Sequence, residues 1–305
     1  MSYYRIYALL RAPKAFSIAC SSIMLLLFAI TIFSGQARAS DTDAKRILAI
    51  GGAVTEIIYA LGEEDKLVGR DSTSLYPQKA TELPDVGYIR ALSPEGVLSV
   101  KPDLILAREN NGPKEAVDVI KSTGIRWVDV PDNFTLEGVD DNIRIIAEEL
   151  GVADKGEILR KKVVSEVSEA RKKISNVKNK PKVMFVLSMQ DGKINASGTK
   201  TAAHGIIELS GGENVINEYE GYKQISDEAV INAAPDIIVM MNGRGESSDH
   251  SSVNASLEEH AALSTTPAVK NGAIIRMDGS LLLGFGPRTG EAISELSTAF
   301  HSHEF

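Results

Sequence analysis

A tyrosine and an arginine stand two residues apart in DVGYIRALSPE, the stretch from Asp85 to Glu95. Tyr88 follows a glycine, and Arg90 precedes a helix start at Ser93-Pro94-Glu95. A free phenol titrates near pH ~10, and a nearby cation favours its anionic form, so this spacing offers an anionic oxygen donor. The same residues also suit a loop tyrosine packing its ring at a lobe edge beside a solvated arginine. A second Gly-Tyr pair, Gly221-Tyr222, is followed by Lys223 and Gln224 and lacks the companion cation. Three further groups carry chemistry: His204 in TKTAAHGII, Arg244 in NGRGE, and Arg288 after Phe285 in LLLGFGPRT.

Histidine is a metal ligand as well as a surface residue. His204 falls on the first turn of a helix, where a plain surface role serves equally well. His250 and His260 lie in a polar loop and at a helix start, and His301 and His303 near the C-terminus. No pair has the spacing of a zinc helix, which argues against a zinc or manganese carrier. The sequence contains no G-x-S-x-G elbow, and GGAVTEI lacks the Lys-Ser/Thr of a phosphate-binding loop. No two acids form a recognisable catalytic pair, so a secreted α/β enzyme is the remote alternative. Glu95 and Glu228 each fall in the first turn of a helix, where the macrodipole stabilises an acid whatever else it does.

The elements that must position these groups alternate between strand and helix. Arg46 to Ile50, Leu104 to Ala107 and Arg126 to Val130 read as buried strands. Between and after them, Val54 to Leu61, Lys114 to Ser122 and Leu136 to Leu150 have helical spacing. That is the grammar of a βα lobe with a mainly parallel sheet. From Asp154 to Val177, apolar residues at Ile158, Val163, Val167, Ala170, Ile174 and Val177 sit among many charges. This predicts one amphipathic helix roughly 36 Å long. The βα pattern resumes with strands at Val183 to Leu187, Ile237 to Met241 and Ala273 to Arg276. Helices follow at Ala202 to Leu209, Asp227 to Ala233 and Arg288 to Phe300.

The two halves echo each other. SPEGVLSVKPDLIL, from Ser93 to Leu106, repeats in register as SDEAVINAAPDIIV, from Ser226 to Val239, and each copy has a Gly-Tyr upstream. Shared capping and turn grammar explains part of this. Its occurrence once in each half favours an internal duplication. Two similar α/β lobes joined by a single helix leave a cleft between them and close only slightly around a ligand. The predicted organisation is a leader over 1–39, a first lobe over 40–152, a linking helix over 153–180 and a second lobe over 181–305.

The leader has Arg5, Arg11 and Lys14, then an apolar run from Ile23 to Phe33, then Ala37-Arg38-Ala39 before Ser40. That is the layout of a secretory signal peptide. Cleavage after Ala39 removes four cations and no acid from a chain of 305 residues and net charge −8, leaving 266 residues at −12. The same cut removes the single cysteine, Cys20, so the exported part must be held by its hydrophobic core. An acidic surface argues against nucleic acid and anionic membranes as partners.

The segments LPDVGYIRALSPEGVLSVKPDLIL, GTKTAAHGIIELSGGENVI, GYKQISDEAV and LLLGFGPRTGEAI resemble the periplasmic substrate-binding proteins of ABC importers. The resemblance covers Ala44 to Phe300 and lies with the helix-linked class that carries haem, siderophores and cobalamin. P-E-G-x-L-S-x-K-P-D-L-I-L marks the wider class, whereas G-Y-x-R-x-L-S and L-L-L-G-F-G-P-R-T point to haem. The resemblance implies that the chain is no enzyme but a carrier of haem b, Fe(III) protoporphyrin IX, with Tyr88 as the axial ligand. A phenolate suits ferric iron as a hard anionic oxygen donor.

Arg90, two residues on from Tyr88, is the local candidate to assist, and Arg244 is the second-lobe cation picked on position alone. Tyr222 would stack on the porphyrin, bond a propionate or serve structurally, Phe285 would help cover a porphyrin face, and Arg288 would meet either a propionate or a local acid. Some relatives use a second-lobe histidine, and His204 is the candidate here without matching that position. Glu95 and Glu228, one per lobe, would dock on the permease dimer that works with its ATPase subunits, and an outer-membrane haem receptor would act upstream. The protein itself would be a periplasmic monomer. The alternative cargo on the same fold is a ferric siderophore or cobalamin, and one haem or a stacked pair both remain open.

Overall fold

The computed structural model describes residues 44–174, 180–242 and 257–302. The first lobe is built on a four-stranded parallel sheet of order β2-β1-β3-β4, with β1 Ile47–Ile50, β2 Leu67–Arg70, β3 Leu104–Arg108 and β4 Arg126–Val130. β1 and β3 are buried along their whole length, as the central strands of a parallel sheet covered on both faces must be. Four helices return the chain: α1 Gly52–Ala60, α2 Pro94–Ser99, α3 Lys114–Ser122 and α4 Leu136–Glu149. Ser93 caps α2 by accepting from the Gly96 amide at 3.0 Å, and Pro94 occupies the first helical position.

A single helix, α5 Ala153–Ile174, leads out of this lobe. Its buried stripe is Leu159, Val163, Val167 and Ala170, a spacing of four, four and three. The sequence reading placed Ile158 in that stripe. In the structure Ile158 is 71% exposed and Leu159 replaces it, because Leu159 keeps the four-residue step to Val163. The stripe packs on α4 and on the last helix of the chain, so one continuous core runs from Ile47 through α5 to Phe300.

The second lobe has strands β5 Lys182–Gln190, β6 Lys193–Ser197, β7 Glu213–Asn214, β8 Tyr222–Ile225, β9 Ile237–Met241 and β10 Ile274–Met277. The main path is β10-β9-β5-β6-β8, with β7 paired to β5. β9 and β10 run parallel to β5, while β6 is antiparallel to both β5 and β8, so this sheet is mixed. The reversal is made at Asp191 and Gly192, with φ of 50° and 71°, the left-handed pair that a two-residue hairpin requires.

The helices of this lobe are α6 Ala202–Leu209, α7 Asp227–Ala233, α8 Pro267–Lys270, α9 Gly279–Leu283 and α10 Thr289–Ser302. Ser226 caps α7 as Ser93 caps α2, accepting from the Ala229 amide at 3.2 Å. Leu281 to Leu283 belong to the short helix α9, which the Asp278 carboxylate caps by accepting from the Leu281 amide at 2.9 Å.

Candidate functional site

The loop that carries Tyr88 is pinned from two sides. On one side it lies against the end of β2: the Arg70 amide donates to Pro84 O, the Val86 amide to Arg70 O and the Ser72 amide to Gly87 O, each at 2.9 Å. Asp85 reinforces this edge, accepting from Ser72 Oγ and the Gly87 amide at 2.9 Å and from Arg70 at 3.2 Å. On the other side the Gly112 amide donates to Ile89 O at 2.9 Å, and the Leu92 amide to Gly112 O at 2.8 Å. Between these anchors Tyr88 is 47% exposed, and no other described side chain engages its hydroxyl. A loop anchored on both sides thus presents an exposed phenol. Arg90, two residues on, is also exposed.

Tyr222 begins β8 opposite Ser197 of β6, and its ring stands edge-on to Phe185 at 6.3 Å between centroids. Burial pushes its phenol above the usual tyrosine range. The backbone of Ala203, the hydroxyls of Thr201 and Ser197, and the charge of Arg90 act in the opposite direction. Arg90 belongs to the first lobe and Tyr222 to the second, so one of the charges acting on the Tyr222 phenol comes from the other lobe.

His204 lies on the first turn of α6, as its sequence position predicts, with its amide donating to Thr201 Oγ1 at 3.0 Å. Its half-buried ring places Nδ1 3.4 Å from the amide nitrogen of Asn214, itself a buried group bonded to Ser197 O, Gly198 O and Ile216 O. Among the described residues no three His, Cys, Asp or Glu side chains converge as a metal site of their own. Glu95 and Glu228 occupy the second positions of α2 and α7, and both are exposed and outside any ion pair among the described residues. Arg244 lies outside the described residues.

Arg288 and Phe285 sit elsewhere. Arg288 forms a two-pronged pair with Glu56 of α1, at 2.7 and 3.0 Å, and its guanidinium stacks 3.6 Å over the ring of Tyr76. Phe285 is 3% exposed and meets Phe134 edge-on at 5.3 Å. Both residues join the second lobe to the first. Sequence reasoning missed Glu56, Tyr76 and Arg108, the first-lobe side of this junction. A signal was present: Glu56 is the lone acid in the apolar run AVTEIIYAL, and Arg108 ends a fully buried strand. Two grooves, of about 650 and 1350 Å³, run along α5, and neither is lined by Tyr88, Arg90 or Tyr222.

Two α/β lobes, one on a parallel and one on a mixed sheet, with the helix α5 leading from the first, are the architecture of a two-lobed binding protein. The chain belongs to the periplasmic binding protein family, which it matches over residues 47–281. Among solved structures it is similar to the periplasmic heme-binding protein RhuT from Roseiflexus sp. RS-1, with 35% identity and a TM-score of 0.79 over 85% of this chain and 99% of that one. It is similar also to the periplasmic heme-binding protein BhuT in complex with two hemes, with 32% identity and a TM-score of 0.78 over 85% and 98%.

Among curated relatives, the uncharacterized ABC transporter substrate-binding lipoprotein YvrC of Bacillus subtilis is 29% identical over 92% of this chain and 88% of its own. The vitamin B12-binding protein of Vibrio parahaemolyticus is 25% identical over 90% and 95%. The chain is thus a substrate-binding component of an ABC importer and not an enzyme.

Proposed function

We propose that this protein captures ferric haem between its lobes through the Tyr88 phenolate and delivers it to an ABC permease for haem and iron uptake. The observation that carries the reading is an exposed phenol without a side-chain partner among the described residues, on a loop fixed at both ends, two residues from a cation. Ferric iron supplies the drive to bind the phenol as its anion, and Arg90 places a cation two residues away. Tyr222 offers a ring wall and a neutral hydroxyl, while Arg244 adds a second-lobe cation. His204 leans on Asn214, which favours Tyr88 as the iron donor.

The similarity to heme-binding structures at 35% and 32% identity supports haem over other cargo. The vitamin B12-binding relatives give cobalamin on the same fold as the second reading. The protein performs no chemistry on the porphyrin. Glu95 and Glu228, exposed at matched helix starts, seat one lobe each on a two-fold permease, whose ATPase-driven opening releases the cargo. Residues 1–39 act as the signal peptide, cut near Ala39, and an outer-membrane receptor supplies the haem.

Titration of the apo-protein with ferric haem, followed by absorption and resonance Raman spectroscopy, tests this. A high-spin tyrosinate spectrum that Tyr88→Phe abolishes is the expected result, and the titration end point gives one haem or two. Tight cobalamin binding without that haem spectrum would move the assignment to the second reading.

A further inference from the structure

The five residues Gly284 to Arg288, in the motif LLLGFGPRT, are gripped at four points by the first lobe. Arg108, at the end of β3 and ion-paired with Asp132, donates across the boundary to Gly284 O at 3.2 Å. Phe285 stands edge-on to Phe134, and the Arg108 guanidinium lies 5.5 Å over that same Phe134 ring. Gly286 lies against α1, where even a methyl group would touch Ala53 at 3.5 Å. Arg288 is held by Glu56 and Tyr76.

The approach is close on the far side as well. A side chain at Gly205 of α6 would come within 2.4 Å of Phe134 O, so only glycine lets the Phe134 loop seat between Gly205 and Phe285. Phe285 itself has φ of 51°, a left-handed conformation that a bulky residue keeps only where its surroundings over-determine it.

The same first-lobe residues lead back to the ligand loop. Tyr76 ends a turn organised by the buried Asp71, which accepts from the Gly51 amide at 2.8 Å and from Ser74 Oγ at 2.6 Å. Ser74 Oγ in turn accepts from Thr55 Oγ1, beside Glu56, at 2.8 Å. At its other end this turn carries Ser72, whose amide and hydroxyl hold Gly87 and Asp85 next to Tyr88. One short segment therefore touches the lobe junction with Tyr76 and the phenol-bearing loop with Ser72.

We infer that Gly284 to Arg288 is an interlobe strap, that Arg108, Phe134, Glu56 and Tyr76 are the positioning residues that clasp it, and that this clasp fixes the opening of the cleft and so sets how fast bound haem leaves. The link to haem release rests on the function proposed above; the link to lobe geometry does not. The strap keeps the ligand groups of both lobes at a fixed separation in the empty protein, so no ordering of the lobes opposes binding. A permease that separates the lobes must break two arginine contacts on opposite sides of the junction, one from each lobe.

The test is pulsed electron-spin distance measurement between labels on the exposed positions Val119→Cys in α3 and Ile231→Cys in α7, in a Cys20→Ala background. Glu56→Gln and Arg108→Met, which keep side-chain volume, are combined in one variant. Tyr76→Leu, at a 44% exposed ring, removes only the stacking and keeps the question answerable should the double variant fail to fold. A wider or longer distance distribution in the variants, with ferric haem leaving about tenfold faster from the double variant and an unchanged iron-ligation spectrum, supports the strap. Distributions that superimpose on the parent's overturn it, and so does widening with an unchanged release rate. Tyr88→Phe separates the two readings: loss of the haem spectrum with an unaltered distance distribution is expected. A spectrum that survives Tyr88→Phe sinks the ligand assignment and leaves the distance result to decide the strap.

Discussion

Gly87-Tyr88 and Gly221-Tyr222 start alike and end in opposite environments. Both glycines have positive φ, 107° and 81°, so each dipeptide leaves its turn through a conformation that favours glycine. After Tyr88 the chain turns at once, the Ala91 amide donating to Tyr88 O at 2.7 Å, and the ring is left in solvent. After Tyr222 the chain extends into β8, and the ring is drawn against Phe185 and the shared core. Local sequence set the backbone start, whereas the next three residues and the sheet edge decided solvation. The iron-binding role proposed for Tyr88 suits the exposed setting. Burial in the second holds the proton on.

The comparison breaks first on stability. Tyr222→Ala removes a ring packed on the core and is expected to cost about 3 kcal/mol in denaturant unfolding, whereas Tyr88→Ala should fall within about 0.5 kcal/mol. Equal losses would mean that the two rings are not differently packed. Affinity for ferric haem should show the reverse order. Tyr88→Phe is expected to weaken binding by on the order of 100-fold or more, above the range usual for groups that only support a ligand, and Tyr222→Phe by less than about threefold, both read by haem titration.

A smaller effect concerns the junction. Burial raises the Glu56 carboxyl above its ordinary range, outweighing the hydrogen bonds and charge of Arg288. A carboxyl whose folded pKa exceeds its unfolded one contributes stability fully below the unfolded pKa and loses it as pH rises through the folded one. The stability of the parent relative to Glu56→Gln should therefore be greatest in acid and decline toward neutral pH, as read from paired thermal melts. An advantage that grows toward neutral pH would mean that the ion pair dominates after all. Last, Glu95→Ala with Glu228→Ala should leave haem affinity and the melting temperature nearly unchanged while reducing delivery to the permease in a reconstituted transport assay, more than either change alone.

The parts of the molecule legible in its sequence are those whose signal is local. Lys114 to Ser122, Ala202 to Leu209 and Asp227 to Ala233 were readable as helices because apolar spacing, Thr201 and Ser226 caps and flanking turns agree. The strands β2, β6 and β8 were missed, being four or five residues long, with LVGR interrupted by glycine and KINAS and YKQI only half apolar. The Asp191-Gly192 hairpin that makes the second sheet mixed has only its dipeptide as a local signal. The tyrosines and matched glutamates came from motif and repeat. The Glu56–Arg288 pair, 232 residues apart, has no local trace beyond an acid in an apolar helix, since only the packing of two lobes brings it together.

The core that runs without a break from β1 through α5 to α10 has a thermodynamic consequence. Each lobe packs a cluster of its own on one face of its sheet, and the other face of each joins the shared core that α5 completes. The lobes therefore share one folding free energy and melt as a single cooperative body, not as two independent halves on a tether. A ligand held between them then stabilises the whole chain by mass action, so a gap that looks like the weakest seam is where occupancy protects every element at once.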